Sequence, residues 1–435
     1  MSMLKWLKEC FMMFLLLLVF DGGLVFAQEP LRLGLEDARQ YAIEHNRNLI
    51  NAGLAIDEAG ERLRETIAQG LPRIDATVDY NNFFGSTASL GAFPGMEIEF
   101  NPTSNLQLSV GQLIFSGSYI VGIRTARLFR EVTEVTKQRT GLEIRAQVTQ
   151  AYYLALISEQ SAGIIEANLD NVRDILEKTR AMVDAGVAEE VDYDQLSVQV
   201  TMLENALRAS GRQVELSHNM LRLQLGLDAD VPVELTDGLS SIVERSDFNG
   251  SLLSQFNINE NVDYQLMELQ TSIAGQQVDL ERAAYLPTIM GFYNYTEKLL
   301  KPEFDITPNH VIGFNVSIPI FSSGARQSRV NQARINLEMA ENQKALLSEQ
   351  LLIQEKQLRY NLNNAKEQYE SQKSNVEVSR RVYHNISNRY EQGMASSLDL
   401  TTANNNYLQA ENSYISALMQ LLEAHVAMDR LLNEI

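Results

Sequence analysis

The five histidines, at positions 45, 218, 310, 384 and 425, are the side chains best suited to bind a metal ion or to transfer a proton. Their spacing matches no metal-ligand pattern, and the sequence has no His-Glu-x-x-His motif. It also lacks a glycine-rich phosphate-binding loop that ends in Lys-Ser/Thr and the Gly-x-Ser-x-Gly turn of hydrolases. The sequence therefore predicts no catalytic residues, no metal site and no cofactor, and we do not expect an enzyme.

Charge and cysteine content narrow the function further. Acidic residues outnumber basic ones by 56 to 36, which gives a formal net charge of -20. Nucleic-acid binding needs clustered Lys and Arg, so a nucleic-acid partner is not expected. The single cysteine is Cys10 in the N-terminal segment, and removal of that segment would leave neither a disulfide nor a thiolate metal site.

The N-terminus has the features of a secretory signal peptide over residues 1–27. Lys5 and Lys8 precede a short apolar core from Phe11 to Phe20, and the small residue Ala27 follows at the expected cleavage point. The alternative is a membrane anchor, for which this apolar core is too short. The mature chain is therefore expected to begin near Gln28.

Two long helices joined by a short turn make up the last quarter of the sequence. A seven-residue apolar repeat follows Gly324 and continues for more than five heptads to a turn at Gly393, after which a second helix returns to Leu432. Such a repeat predicts a left-handed coiled coil. At 1.5 Å per residue the first arm is roughly 100 Å long and must project from any compact body. The seam comprises Leu351, Leu358, Leu362, Ala365, Tyr369, Val376, Tyr383, Ile386 and Tyr390.

The sequence contains this architecture twice, at an offset of about 207 residues. Gly186 and Asp192 correspond to Gly393 and Asp399, and Phe-Ser-Gly at 115–117 corresponds to Phe-Ser-Ser-Gly at 321–324. Leu-Pro-x-Ile at 71–74 recurs at 286–289. Each half should therefore contain a helix, a strand, a loop, a second strand, a long helix, a turn and a final helix.

Alternation of polar and apolar residues predicts two strands in each half, at about 72–80 and 105–115 and at about 287–295 and 311–321. Such strands could face lipid on one side and water on the other, although strands packed on a soluble core give the same pattern. Four strands are too few to close a transmembrane barrel, because about eight are the minimum and an open edge in lipid leaves amides unpaired. Several chains would have to combine.

The predicted organisation has a first repeat at 28–227, a connecting segment at 228–262 and a second repeat at 263–435. The connecting segment shows no helical periodicity and is rich in Gly, Ser, Asn and Pro. The two tip turns are expected near residues 186 and 393. The loops 81–103 and 296–309 are expected to lie at the outer end of the molecule.

Three kinds of motif together resemble those of the TolC-type outer-membrane efflux proteins. They are the Leu-Pro-x-Ile strand starts, the Phe-Ser-Gly and Phe-Ser-Ser-Gly segments that begin the long helices, and the paired Gly-x₅-Asp turns. The ordered set at matching offsets, across nearly all of residues 31–432, carries this resemblance. It implies a mainly α fold with a small β part, in which two structural repeats supply long antiparallel coiled-coil helices to an α-barrel. It further implies that each chain contributes four strands to a 12-stranded transmembrane β-barrel in a homotrimer.

The resemblance also implies the location, function and partners. Family members lie in the outer membrane, in contact with its lipid, and extend a helical tunnel into the periplasm. They are exit channels of tripartite efflux pumps or type I secretion systems. The implied partners are a periplasmic adaptor (membrane fusion) protein and an inner-membrane transporter of the RND, ABC or MFS type.

Within the family, the two inter-helix turns form the tip where the adaptor docks. Above the tip, an acidic ring and side-chain links between coiled coils form a gate. By this likeness Asp399 matches one ring aspartate, whereas Thr402 replaces the other. Tyr390 and Asp192 match two linking residues and are expected to share a hydrogen bond, but Ala395 replaces the linking arginine. The docking residues are expected to be Gly186, Val187, Ala188, Gly393, Met394 and Ala395.

Simpler roles and rival functions remain open at this stage. Each tip glycine could merely relieve strain in a tight turn, and Asp192 and Asp399 could simply cap helices.

A periplasmic coiled-coil adaptor or scaffold without a pore would share the long hairpins but would have no need of four strands flanked by aromatic residues. A monomeric porin would need many more strands. Because selection lies mainly in the pump, the transported substrate is not predicted.

Overall fold

The computed structural model describes residues 30–89, 97–301 and 307–435. The predicted signal peptide at 1–27 lies outside these residues, as do Cys10 and the cleavage point. The chain is mainly α with a small β part and contains two structural repeats, as predicted.

The first repeat contains two short helices, a strand pair and one very long helix. This long helix has 68 residues and is followed by a helix of 36 residues. The elements are β1 (Leu31–Leu33), α1 (Leu35–His45), α2 (Arg47–Ala68), β2 (Arg73–Asn81), β3 (Thr87–Ser89), β4 (Glu97–Glu99), β5 (Thr103–Ser116), α3 (Gly117–Asp184) and α4 (Glu190–Leu225).

The second repeat has the same order after a connecting segment with short elements of its own. Its long helix has 67 residues and its final helix has 36, which closely matches the first repeat. The elements are β6 (Val233–Leu235), α5 (Leu239–Arg245), α6 (Phe248–Leu253), a 3₁₀ turn (Ile258–Glu260), α7 (Val262–Ala283), β7 (Thr288–Leu300), β8 (His310–Ser317), α8 (Ala325–Glu391) and α9 (Ser397–Leu432).

A four-stranded antiparallel sheet joins the two repeats in the order β2-β5-β7-β8. Strands β2 and β8 are its edges. The last strand ends at Ser317, short of the expected 321. Pro319 has no N–H to donate to a ladder, and the backbone then turns through positive φ angles at Ser323 and Gly324 into α8.

Beyond the sheet, the helices pack side by side in two levels. Near the sheet the order is α2-α3-α7-α8, and toward the two tip turns it is α4-α3-α9-α8. The long helices α3 and α8 therefore run through both levels. Seven of the nine predicted heptad positions on α8 are buried, and Leu358 and Ile386 are partly buried.

The single helix predicted before the first strand is in fact two helices, α1 and α2, because the chain breaks at Asn46. This buried side chain accepts a hydrogen bond from the N–H of Asn48 (2.9 Å) and donates one to the carbonyl of Gln224 (2.7 Å). Asn46 thus caps α2 and ties it to the end of α4.

The connecting segment forms a band that packs against α3, α8 and α9. Its strand β6 pairs in parallel with β1, a contact that the sequence did not indicate. The carboxylate of Asp237 accepts hydrogen bonds from the N–H of Leu35 (2.7 Å) and from Arg245 (2.5 Å). The main core lies beneath this band and includes the fully buried Tyr152, Leu221 and Leu422.

Candidate functional site

Helices α3 and α4 form one hairpin, and α8 and α9 form the other. The turns at the far ends of these two hairpins have the same backbone structure. Gly186 and Gly393 both have φ of +71°, a conformation that a side chain disfavours. In each turn the N–H of the next residue bonds the carbonyl five positions back, from Val187 to Met182 (2.8 Å) and from Met394 to Arg389 (2.8 Å). This pattern is the Schellman motif, which explains the glycines as helix C-caps.

The same turns expose apolar side chains at equivalent positions. Val187 is 70% exposed and Met394 is 57% exposed, and the matching pair Val191 and Leu398 is also exposed. Four exposed apolar side chains therefore lie in or next to the two turns. Ala188 and Ala395 are half-buried beside them.

Asp399 is exposed and caps its own helix. Its carboxylate accepts hydrogen bonds from the hydroxyl (2.7 Å) and the N–H (3.1 Å) of Ser396, and these bonds lower the pKa of Asp399. Thr402 lies three residues further along α9, on the same face, and is also exposed. The charge at 399 is therefore held in a fixed position on the surface of the hairpin.

The expected hydrogen bond between Tyr390 and Asp192 is absent from the described structure. The buried hydroxyl of Tyr390 lies 2.9 Å from Oγ1 of Thr179, whose own proton goes to the carbonyl of Ile175 (2.8 Å). Tyr390 is therefore the donor, and its burial raises the pKa of the phenol. Asp192 instead accepts a bond from the hydroxyl of Ser397 and one from the N–H of Glu189 (3.2 Å).

The two hairpins are thus joined near the tip by Tyr390 and Asp192, the two linking residues that the resemblance implied, but through partners that the sequence did not indicate. Besides Tyr390 with Thr179 and Ser397 with Asp192, the amide of Gln199 on α4 donates to Asn405 on α9 (3.2 Å). We call these three hydrogen bonds the inter-hairpin latch. No heptad or motif signals them, because each joins residues about 200 positions apart.

A charged link also crosses between the hairpins. The ammonium of Lys178 lies 2.7 Å from the carboxylate of Glu391, and this partner raises the pKa of Lys178. Ala395, the position at which the resemblance implies a linking arginine, packs against the apolar tip core around Leu169, Tyr383 and Leu400. A salt bridge therefore exists at the tip without that arginine, although both of its partners are substantially exposed.

At the other end of the molecule, the sheet has one strongly apolar exposed face. The strand register places Ile74, Val110, Tyr293 and Ile312 in one row across the four strands. On β8, Ile312 is 83% exposed and Phe314 is 74% exposed. An apolar surface of this extent is unusual unless protein or lipid covers it. Further members of this face are Ala76, Val78, Tyr80, Leu106, Leu108 and Val316.

The opposite face of the sheet is mostly polar, although Met290, Phe292 and Val311 also lie on it. Its side chains include Arg73, which pairs with Asp75 at 2.9 Å, and Asp79, which accepts a bond from Asn105 at 3.0 Å. Asn315 on β8 belongs to the same face. A sheet that is apolar on one side and polar on the other can separate lipid from water.

Other kinds of site were not found in the parts of the chain that the structure describes. No group of three or more His, Cys, Asp or Glu side chains is arranged to hold a metal ion. None of the helices is both long enough and apolar enough to cross a membrane.

A comparison with protein families finds that the model described as "Outer membrane efflux protein" matches residues 38–227 and 253–434. No curated protein matches the chain.

Solved structures resemble nearly the whole chain. A CusC structure, reported with conformational changes that accompany folding and transmembrane channel formation, has a TM-score of 0.75 at 15% identity and covers 92% of this chain and 91% of its own. The outer membrane protein VceC from Vibrio cholerae gives 0.72 at 18% identity, with 92% and 95% covered. The CmeC outer membrane channel from Campylobacter jejuni gives 0.72 at 16% identity, with 92% and 85% covered. At these identities the likeness shows a shared fold.

Proposed function

Since the chain belongs to the outer membrane efflux protein family, we propose that it is the exit channel of a tripartite efflux pump or a type I secretion system. Substrate would pass passively through a water-filled lumen, with energy supplied by an inner-membrane transporter. The observation that carries the proposal is the sheet with one exposed apolar face and one polar face, attached to two long hairpins. A pore-free periplasmic scaffold would have no use for that apolar face.

The pore itself requires several copies. Strands β2 and β8 are open edges of one sheet, so a neighbour's β2 can pair with β8, and three copies would close a barrel of twelve strands. The long helix α8, at the same side as β8, carries an exposed apolar stripe at heptad spacing that α2 of the neighbour could cover. The stripe comprises Ile335, Met339, Leu346, Ile353 and Tyr360.

In such a homotrimer the tip would act as the gate. Three copies of Asp399 around the axis would concentrate negative potential at a narrow mouth and attract cations. The inter-hairpin latch and the Lys178–Glu391 salt bridge would hold the hairpins packed. Movement of one hairpin against the other would open the mouth.

The exposed apolar tip is our proposed docking surface for a periplasmic adaptor, which would connect the channel to an RND, ABC or MFS transporter. A pull-down with the full-length chain should capture both proteins. Capture should fall sharply for the double variant Val187→Asp/Met394→Asp and persist for Gln392→Asp, an exposed polar position in the same turn. Equal capture by both variants would exclude the tip as the docking surface.

Membrane fractionation and electrical recording test the channel directly. We expect the chain in outer-membrane fractions, a heat-sensitive trimer on gels and discrete conductance steps in planar bilayers. A water-soluble monomer in the periplasmic fraction would support the scaffold alternative and overturn the channel proposal. Because the sequence predicts a signal peptide at 1–27, the fractionation should use the complete coding sequence.

A further inference from the structure

Two buried asparagines lie close to the contact between the hairpins, just above the tip. Asn168 on α3 is 3% exposed and Asn404 on α9 is 2% exposed, and these two helices pack against each other. They are sequence neighbours of Leu169 and Ala403, which belong to the apolar tip core. Within the described residues, neither amide nitrogen nor amide oxygen of Asn168 or Asn404 has a hydrogen-bond partner.

Unpaired buried amides act against the packed arrangement of the hairpins. A polar group removed from water without a replacement bond raises the free energy of the state that buries it, and most buried polar groups in proteins are paired for this reason. The penalty lasts only while the hairpins are packed, because separation would let water reach the amides. The inter-hairpin latch has the opposite effect, since its bonds form only when the hairpins are packed.

Space for water already exists on one side of this contact. A cavity of about 860 Å³ between α3, α5, α8 and α9 is lined by Asn168. Lys373, Arg380 and Glu411 also line it, so its wall is partly charged. A small movement of α3 relative to α9 would bring the Asn168 amide into contact with solvent.

We propose that Asn168 and Asn404 are positioning residues that keep the free energy of the packed hairpins close to that of the separated hairpins. A small force on the tip would then be enough to open the channel. The proposal rests on the channel function proposed above. It assigns opposite roles to two sets of polar side chains: the latch favours the packed tip and the asparagines oppose it.

Leucine substitutions test the proposal because they keep the branched shape and the number of heavy atoms of the side chain and remove the unpaired amide. In single-channel recordings, Asn168→Leu and Asn404→Leu should each lower the ratio of open to closed time about tenfold, which corresponds to 1.4 kcal/mol. Asn404→Asp should raise this ratio, since a buried unpaired carboxylate opposes packing more strongly than an amide. A loss of packing alone would not give effects of opposite sign.

An exposed asparagine on α9, outside the cavity, provides a matched control. Asn406→Leu should leave the ratio unchanged. Leucine variants that raise the unfolding temperature without changing the open ratio would overturn the proposal, as would variants that lower the unfolding temperature. If the wild-type chain forms no channels at all, the proposed function fails instead, so the two failures are distinguishable.

Discussion

The sheet and the tip join the same two repeats by different means. In the sheet, β5 of the first repeat and β7 of the second form a backbone ladder that extends from Ser104 opposite Leu300 to Ser116 opposite Thr288. At the tip, the described contacts between hairpins are made by side chains and include the three bonds of the latch, a further contact of Ser397 with Gln195, one exposed salt bridge and an apolar core.

This difference indicates which end of the molecule can move. Opening the ladder would break many backbone hydrogen bonds together and leave their amides unpaired. Opening the tip would break a few side-chain bonds, each with a net value of about 1 kcal/mol, and water could replace them. We therefore expect a rigid sheet and a separable tip, and the variants below test that contrast.

The largest effect is expected at the apolar face of the sheet. Phe314→Lys places a charge in the proposed lipid contact and should destabilise the membrane-inserted protein by about 2–4 kcal/mol. Thermal unfolding of the reconstituted protein and loss of the heat-sensitive trimer measure the change. Asn315→Lys, on the polar face of the same strand, should have little effect, and equal losses for both variants would exclude a lipid-facing role for Phe314.

The second effect concerns the latch. Tyr390→Phe combined with Ser397→Ala removes two inter-hairpin bonds, one of them to a carboxylate, which together should favour opening by about 2 kcal/mol or roughly thirtyfold. Single-channel recordings should show longer openings while the unfolding temperature of the sheet stays unchanged. Ser374→Ala, at an exposed position of α8, is the control. If the double variant also loses the trimer, the tip is not separable from the sheet.

The elements of both regions could be predicted where the pattern is local. Heptad spacing from Leu351 to Tyr390 indicated a buried seam, and alternation from Arg73 to Tyr80 indicated a strand. Periodicity could not reveal β6, since a strand of three residues is too short to show a repeat. The break at Asn46 had a local signal, an N-capping residue, which the surrounding helical pattern concealed.

Partners across the tip could not be predicted for a different reason. The sequence and the family resemblance together singled out Tyr390 and Asp192, but the rotation of one hairpin against the other decides which residues meet. In the structure, Tyr390 forms a hydrogen bond with Thr179, and Asp192 forms one with Ser397. The offset between the repeats aligns Asp192 with Asp399, and each accepts a bond from the N–H three residues before it in its own turn. Among the hydrogen bonds of the described residues, Asp192 alone of the two also reaches the other hairpin. Equivalent positions in the two repeats have therefore acquired different contacts.

The third effect is a smaller loss of stability, and it concerns the backbone conformation of the two tip turns. Gly186→Ala and Gly393→Ala force a side chain into the positive-φ region, where no neighbouring atom within 4 Å would resist the added Cβ. The expected loss of stability is thus conformational, about 1 kcal/mol for each, and should be equal in the two turns because their hydrogen bonds match. Thermal unfolding measures it. A much larger loss at Gly393 would show that this turn has packing in the assembly that the Gly186 turn lacks.

The smallest expected effect is electrostatic and concerns Asp399. Asp399→Asn keeps an oxygen that can accept the Ser396 bonds and removes the charge, so block of the channel by multivalent cations should weaken. Because the Ser396 bonds favour the ionised carboxylate, the variant should also unfold slightly more easily. Salt screens exposed charges over about 8 Å at physiological ionic strength, so the difference between variant and wild type should shrink as salt is raised. Thr402→Asp adds a carboxylate on the same face of α9 and should strengthen block of the channel by multivalent cations. If neither variant changes block at low salt, the carboxylates do not converge on the axis, and Asp399 acts only as the cap that its bonds to Ser396 already make it.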